Sequence, residues 1–323
     1  MDFVMIWVDG NDPEWKSQFN KYKDRGGDKR ETCFRDWKNL RYWFRGVEKF
    51  APWVDNVFFV TCGHYPEWLN LDCPKLHFVR HDEFIPQEYL PTFSANAIEL
   101  NLHRIKGLSD EFVYFNDDLF LVNHIEPTRF FKEGKPCDMA VLNALSGGGI
   151  GHMILNDVET INKHCSKKNA LKANLSKWFT FKYGSYLLRT LFLLPWPRFT
   201  GFVDPHFPNP FCKRTFEEMW KLEPDLLHKT CSARFRTSDD VNQYLMRYWQ
   251  LVKGEFVPFN VFKDSLYMSI NDDSILEIKQ MIESQKKSIL VLNDDGVSDF
   301  DYAQRAINES FEKILPNKSC FEK

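Results

Sequence analysis

Phe112-Val113-Tyr114-Phe115, then Asn116-Asp117-Asp118, then Leu119-Phe120-Leu121 reads as a buried strand that ends in an acidic tip. A short apolar run rich in aromatic and β-branched residues suits a sheet covered on both faces. Working outward, Phe3 to Val8, Val57 to Thr61 and Leu76 to Arg80 have the same texture and are read as further strands. Between them, Arg35 to Phe50 carries Trp37, Leu40, Tyr42, Trp43, Phe44 and Val47 on one broad helical face closed by Pro52, and Ser94 to Ile105 reads as a helix capped by Ser94. Strands alternating with helices predict βαβ units in a largely parallel sheet. Open α/β sheets place their ligands at the carboxyl edge, so the polar residues that follow each strand are the first candidates for chemistry.

Farther along, helices are expected near Thr215 to Lys221 and Asp239 to Leu251, a strand over Ile289 to Leu292, and an amphipathic helix around Tyr302 to Ile314. No repeat or low-complexity linker divides the chain. Residues 1–125 and 201–323 therefore read as one catalytic α/β core, and 126–200 as a basic, mostly helical insertion facing acceptor or membrane. From Thr160 to Val203 there is no Asp or Glu, while Lys163, Lys167, Lys168, Lys172, Lys177, Lys182, Arg189 and Arg198 are interleaved with Trp178, Phe179, Phe181 and Phe192. Such a stretch can lie on an anionic membrane surface or hold an anionic glycan; equally, it can be a solvated helical hairpin packed on the core.

Composition narrows the class. Hydrophobic residues at 43% and charged residues at 27% of 323 exclude a disordered or coiled-coil chain. Phe 30, Tyr 11 and Trp 10 predict an aromatic core first, and sugar or base stacking second. A net charge of −3 offers no chain-wide attraction to nucleic acid. The eight cysteines, at 33, 62, 73, 137, 165, 212, 231 and 320, form no CxxC pair, so reduced thiols in a cytosol are expected rather than a zinc module or a disulfide scaffold. The opening Met1-Asp2-Phe3 lacks the basic region of a signal peptide, and the greasy stretch Tyr186 to Trp196 is broken by Arg189 and Pro195, well short of the roughly 20 residues that span a bilayer.

The tripeptide Asn-Asp-Asp occurs at 116–118, 271–273 and 293–295, which makes the chain its own control. Only Asn116-Asp117-Asp118 lies between two strand-like runs. Paired carboxylates there can hold a hard divalent ion that bridges a nucleotide diphosphate; a polar turn or helix cap is the structural alternative. Asn293-Asp294-Asp295 runs into Gly296 and reads as a turn. Asp9 and Asp12 flank another turn, Gly10-Asn11, in which Asp9 is a candidate ligand. Ser146-Gly147-Gly148-Gly149-Ile150-Gly151 lacks the lysine and serine of a P-loop and reads as a mobile loop. His206, held between Pro205 and Pro208, is a candidate general base, though a lone histidine is also common as a structural residue. Arg234-Phe235-Arg236-Thr237-Ser238-Asp239-Asp240 places guanidinium groups before a helix start capped by Ser238 or Asp239, an arrangement suited to phosphate.

These segments resemble the ordered signature blocks of the Stealth family. They are Val4 to Pro13, Arg35-Asp36 through Val54, Leu90 to Ser94 through Ile105, Asn116-Asp117-Asp118, Pro205-His206-Phe207-Pro208, Phe235 to Asn242, and the closing Pro316 to Glu322. The family comprises bacterial capsular and exopolysaccharide phosphotransferases and the animal lysosomal-enzyme N-acetylglucosamine-1-phosphotransferase. The resemblance implies a Rossmann-like, glycosyltransferase-A-like mixed sheet flanked by helices. It also implies transfer of a sugar 1-phosphate from a UDP-sugar, such as UDP-GlcNAc, to a hydroxyl of a polysaccharide or lipid-linked glycan, with release of UMP. On this reading Asp117 and Asp118 hold Mg²⁺ or Mn²⁺, and His206, Arg236 and Asp118 are catalytic. Asp9, Ser94, His103, Arg104, Asp239 and Asp240 line the donor site. The implied setting is cytoplasmic, at the inner face of the plasma membrane. Asn209 stands where the animal enzymes carry a second histidine, which shifts the weight onto His206. Two rival readings remain: a conventional metal-dependent glycosyltransferase releasing UDP, and a glycan-binding module without catalysis.

Overall fold

The computed structural model describes residues 1–23 and 35–323, and Cys33 lies outside them. Strand β1 (Asp2–Ile6) is flanked by β2 (Val57–Thr61) and then β3 (Leu76–Arg80) on one side, and by β4 (Glu111–Phe115) on the other, all parallel. The order β3-β2-β1-β4 is that of a Rossmann half-sheet. Side-chain alternation explains why both faces are covered. Phe3, Met5, Val57, Phe59, Val113 and Phe115 point into one core, and Val4, Phe58, Val60, Phe112 and Tyr114 into the other.

On the first face lies the helix Leu40–Phe50, whose Trp43, Phe44 and Val47 pack under the sheet. It also meets strand β5 (Leu119–Leu121) at Gly46, where a Cβ would stand 2.6 Å from the Leu121 carbonyl oxygen, so only glycine permits that approach. Two short strands, β6 (Phe131–Lys132) and β7 (Lys135–Asp138), follow, and then β8 (Asn209–Cys212), which pairs antiparallel with β4 and covers its edge. Strand β9 (Val257–Pro258) joins β7. Finally β10 (Ser265–Ile270) and β11 (Ile289–Asp294) form a second sheet with β5, backed by the helices Ile275–Ser284 and Phe300–Ile314. The result is a mixed α/β fold dominated by parallel strands and flanked by helices.

Three expected helices start later or break sooner. The first begins at Leu40 rather than Arg35, because Asp36 accepts the Lys38 amide and Lys38 turns left-handed with φ 53°. The second runs only Ala95–Glu99 and resumes as a 3₁₀ turn at Leu102–Arg104, Asn101 bonding back to the Ala97 carbonyl, and Ser94 makes no side-chain cap. The third begins at Tyr244 rather than Asp239, since Asp240 folds back onto Thr237 and Asn242 onto the Tyr244 amide.

Residues 126–142 contribute a 3₁₀ turn at Pro127–Arg129, β6, β7 and the core side chains Met139 to Leu142, and α-helices begin at Gly151. Between Leu142 and Phe202 lies the excursion that carries these α-helices. It closes on itself where Leu142 bridges Phe202 and the Asn143 amide donates to the Gly201 carbonyl at 3.0 Å.

Candidate active site

Topology brings the decisive residues together. In the antiparallel β4–β8 register Tyr114 lies opposite Asn209, so the residues just after β4 meet those just before β8. Asn116, Asp117 and Asp118 follow β4, and His206 precedes β8. His206 Nε2 lies 3.1 Å from Asp118 Oδ2 and 3.4 Å from Asn116 Nδ2, and the Tyr267 ring stands edge-on at 6.3 Å. Behind them Tyr114 Oη sits 2.9 Å from the buried Glu99 and contacts the Asn116 side-chain oxygen, which turns the Asn116 amide toward His206. The Asp118 carbonyl accepts from the Leu292 amide at 2.9 Å, so the acidic tip is stitched to the second sheet.

Electrostatics set the character of the site. Asp117 opens to solvent yet lies recessed among protein atoms; desolvation first, then Asp118 and Asp36, pushes its carboxyl up to about 7. Burial also raises Asp36, with Asp9 adding to it. For His206 burial acts downward, but Asp118, Glu99 and Asp117 outweigh it and hold the imidazole above its usual value. Asp118 Oδ1 is buried without a hydrogen-bond partner. Acidic side chains gathered at one edge repel a diphosphate unless a cation intervenes. Among the described residues no three His, Cys, Asp or Glu side chains form a ready ligand set. A divalent ion at a phosphate site is commonly held by one or two carboxylates and the substrate's own oxygens, so Asp117 and the unpartnered Asp118 Oδ1 fit it.

The other expected residues divide. Asp9 lies within the loop after β1, where its Oδ1 accepts the Asn11 amide and its own amide donates to His64 Nε2, whereas Asp12 caps the helix Pro13–Tyr22. Arg236 makes no hydrogen bond or ion pair with a described residue; it faces Glu99 and Asp240 and lines a recess of about 310 Å³ with the glycine loop. The Phe93 amide donates to the Arg234 carbonyl and Asn96 to Asp240, so Ser94, whose buried Oγ has no partner, neighbours that block. His103 and Arg104 are tied elsewhere. The His103 ring stacks on Phe216 and is pushed down to about 3 by burial, then by Arg104 and Lys213, while Arg104 lies over Trp220. Asp239 is exposed and paired with Lys229. The other two acidic tripeptides are structural: Asp294 binds Arg35 and Trp37, and Asn271 caps the turn into the helix Ile275–Ser284.

The family model of Stealth protein CR2, conserved region 2, matches residues 33–138, the segment that contains β2, β3 and β4 and carries Asp117 and Asp118. A capsular polysaccharide phosphotransferase WcwK of Streptococcus pneumoniae is 39% identical over 333 residues, spanning 100% of this chain and 98% of that protein. The chain belongs to the Stealth family. The exopolysaccharide phosphotransferase cps2G of Lactiplantibacillus plantarum is likewise 39% identical, over 100% of this chain and 96% of its own. This Stealth protein is accordingly a transferase of the phosphotransferase class. The solved galactosyltransferase LgtC superposes over 99% of this chain and 98% of its own with a TM-score of 0.44 at 9% identity, a level at which nothing of its site carries over.

Several residues that shape this candidate site escape a reading of strand ends. Asp36 sits in a loop before a helix. Glu99 announces itself only as an acid between Ile98 and Leu100. Arg247 is hidden inside the apolar helix Tyr244–Lys253. Buried, it grips Asp138 of β7 through Nε at 2.7 Å and Nη2 at 3.0 Å, and Asp204 and the Val203 carbonyl through Nη1 at 2.9 and 3.0 Å. Asp204 lies two residues before His206, so Arg247 sets the entry of the histidine loop. Replacing Arg247 with Leu leaves two carboxylates buried without their cation, and a loss of about 3–5 kcal/mol in folding stability is expected. Denaturant midpoints measure it; an unchanged midpoint refutes the keystone role.

Proposed function

We propose that the chain moves a hexose- or N-acetylhexosamine-1-phosphate from a UDP-sugar, UDP-GlcNAc or a close relative, to a hydroxyl of a cell-surface polysaccharide or its lipid-linked precursor, releasing UMP. The observation that carries this reading is the His206–Asp118 pair beside Asp117, with one Asp118 oxygen left unpartnered. The relatives' names support the acceptor class, and with a nucleotide-sugar donor the proposed setting is the cytoplasm, at the inner face of the plasma membrane.

In this mechanism the acceptor oxygen attacks the sugar-bearing phosphorus, and the bond from that phosphorus to the bridging oxygen breaks. The anomeric carbon–oxygen bond is untouched, so the sugar keeps its configuration. With its Nε2 proton held against Asp118 Oδ2, His206 presents Nδ1 as the lone pair that takes the acceptor proton, and the Asp118 carboxylate steadies the imidazolium. Arg236 stabilises charge on the transferred phosphate. Asp117 and Asp118 would hold Mg²⁺ or Mn²⁺, which when bound neutralises the diphosphate oxygens. Asp9 and Ser94 bound the donor side.

The test is the nucleotide released when protein, UDP-GlcNAc, Mg²⁺ and an acceptor glycan are incubated together. UMP is expected. UDP would mean a conventional glycosyltransferase. Thermal stabilisation by glycan alone, without coupling between sugar nucleotide and Mn²⁺, would mean a binding module.

A further inference from the structure

The excursion between Leu142 and Phe202 ends in a ridge that turnover of a nucleotide sugar does not use. Phe181 is 95% exposed, Phe192 75% and Trp196 53%, and Leu188, Leu191 and Leu194 are exposed beside them. The ridge is held in place. Lys167 Nζ donates to the Leu193 and Trp196 carbonyls at 2.6 and 2.7 Å, and Thr190 Oγ1 accepts the Leu142 amide at 3.1 Å. Large apolar side chains fixed in water mark a contact surface.

Its charge is one-sided, with no acid from Thr160 to Val203. The side chains of exposed Lys168, Lys172, Lys182 and Arg198 make no hydrogen bond or ion pair with a described residue. Buried Lys167, and two further residues the sequence placed on this surface, are not on it. Trp178 is fully buried against Phe199 and Phe202, and Lys177 is spent on the Gly254 and Phe256 carbonyls.

We propose that this ridge seats the protein on an anionic lipid bilayer, its apolar side chains entering the headgroup region and its cations meeting lipid phosphates. Phe181, Phe192 and Trp196 could stack on sugar rings, but exposed Leu188, Leu191 and Leu194 add aliphatic surface that a hydroxyl-rich glycan matches poorly and a lipid matches well. A second copy across a two-fold axis would set cations against cations. Aromatic side chains flanked by lysine and arginine, without acids, match the polar–apolar boundary of a membrane instead. Tyr186 stacks on Phe262 at 4.7 Å, and Phe262 packs on Phe207 at 5.5 Å, next to His206. The lipid contact therefore fixes the height of the histidine above the bilayer.

Sedimentation of the full chain with phosphatidylcholine vesicles, with and without phosphatidylglycerol, tests this. Binding is expected to the anionic vesicles, falling steeply with salt. Each cation contributes roughly fivefold to affinity, so Lys168→Gln, Lys182→Gln and Arg198→Gln together should weaken it about 100-fold. Phe181→Ser with Phe192→Ser should release the protein as well. No binding by the parent chain, or both variants binding as tightly as the parent, overturns the proposal. A raised KM for soluble acceptor in the triple variant, with no vesicle binding by the parent, overturns it in favour of a glycan-gripping face. Vesicle binding requires no donor, so these outcomes stand apart from the phosphotransfer reading.

Discussion

Replacing His206 with Ala is expected to lower kcat about 10²- to 10⁴-fold, the usual worth of a positioned general base. The imidazole is placed by three independent elements. Pro205 and Pro208 stiffen its loop, Arg247 anchors Asp204 two residues upstream, and Asp118 Oδ2 meets its Nε2 at 3.1 Å. None of these supports is lost in the alanine variant, so the fold and the affinity for donor should persist. Steady-state rates across donor concentration separate the outcomes. An unchanged kcat with a raised KM would make His206 a binding group rather than a base.

Asp118→Asn is expected to reduce turnover by at least about 10³-fold, because one carboxylate serves two purposes. Its Oδ2 lies 3.1 Å from His206 Nε2, and on the proposed reading its unpartnered Oδ1 would hold a divalent ion. The amide keeps the shape but carries no charge for either partner. Thermal stability should hold or rise slightly, since Asp117 loses the like charge beside it. A variant with parental activity across a Mg²⁺ titration would show that the acidic tip is structural.

Much of the fold was legible because parallel strands covered on both faces are short, apolar and easily seen. Val57 to Thr61 and Leu76 to Arg80 lie where their texture placed them. What stayed hidden depends on pairing across long stretches of chain. The sequence Asn209-Pro210-Phe211-Cys212 does not look like a strand, yet it is β8, because β4 offers an unpaired edge that only tertiary structure reveals. The acidic tip could be found by its neighbours, Phe115 and Leu119. Its connection to His206 could not, since 88 residues separate the partners. Spacing also misplaced the start of the helix after Asp240, because a carboxylate folding back on Thr237 outcompeted helical propensity. Charge counting misjudged the excursion for a similar reason, as backbone carbonyls consumed Lys167 and Lys177.

The reversed direction of β8 bears on how the molecule comes into being. The four parallel strands β1 to β4 are complete once residue 115 has been made, and they present the flank of β4 as a bare row of amides and carbonyls. Such a flank invites pairing with other chains. It stays open until residues 209–212 arrive, a delay of several seconds or more at synthesis rates of about 5–20 residues per second. The event that shields the growing chain from aggregation is the same event that delivers His206 to Asp118. Protection of the sheet edge and the approach of His206 to Asp118 thus depend on one pairing, which Arg247 and Leu292, made later, then secure.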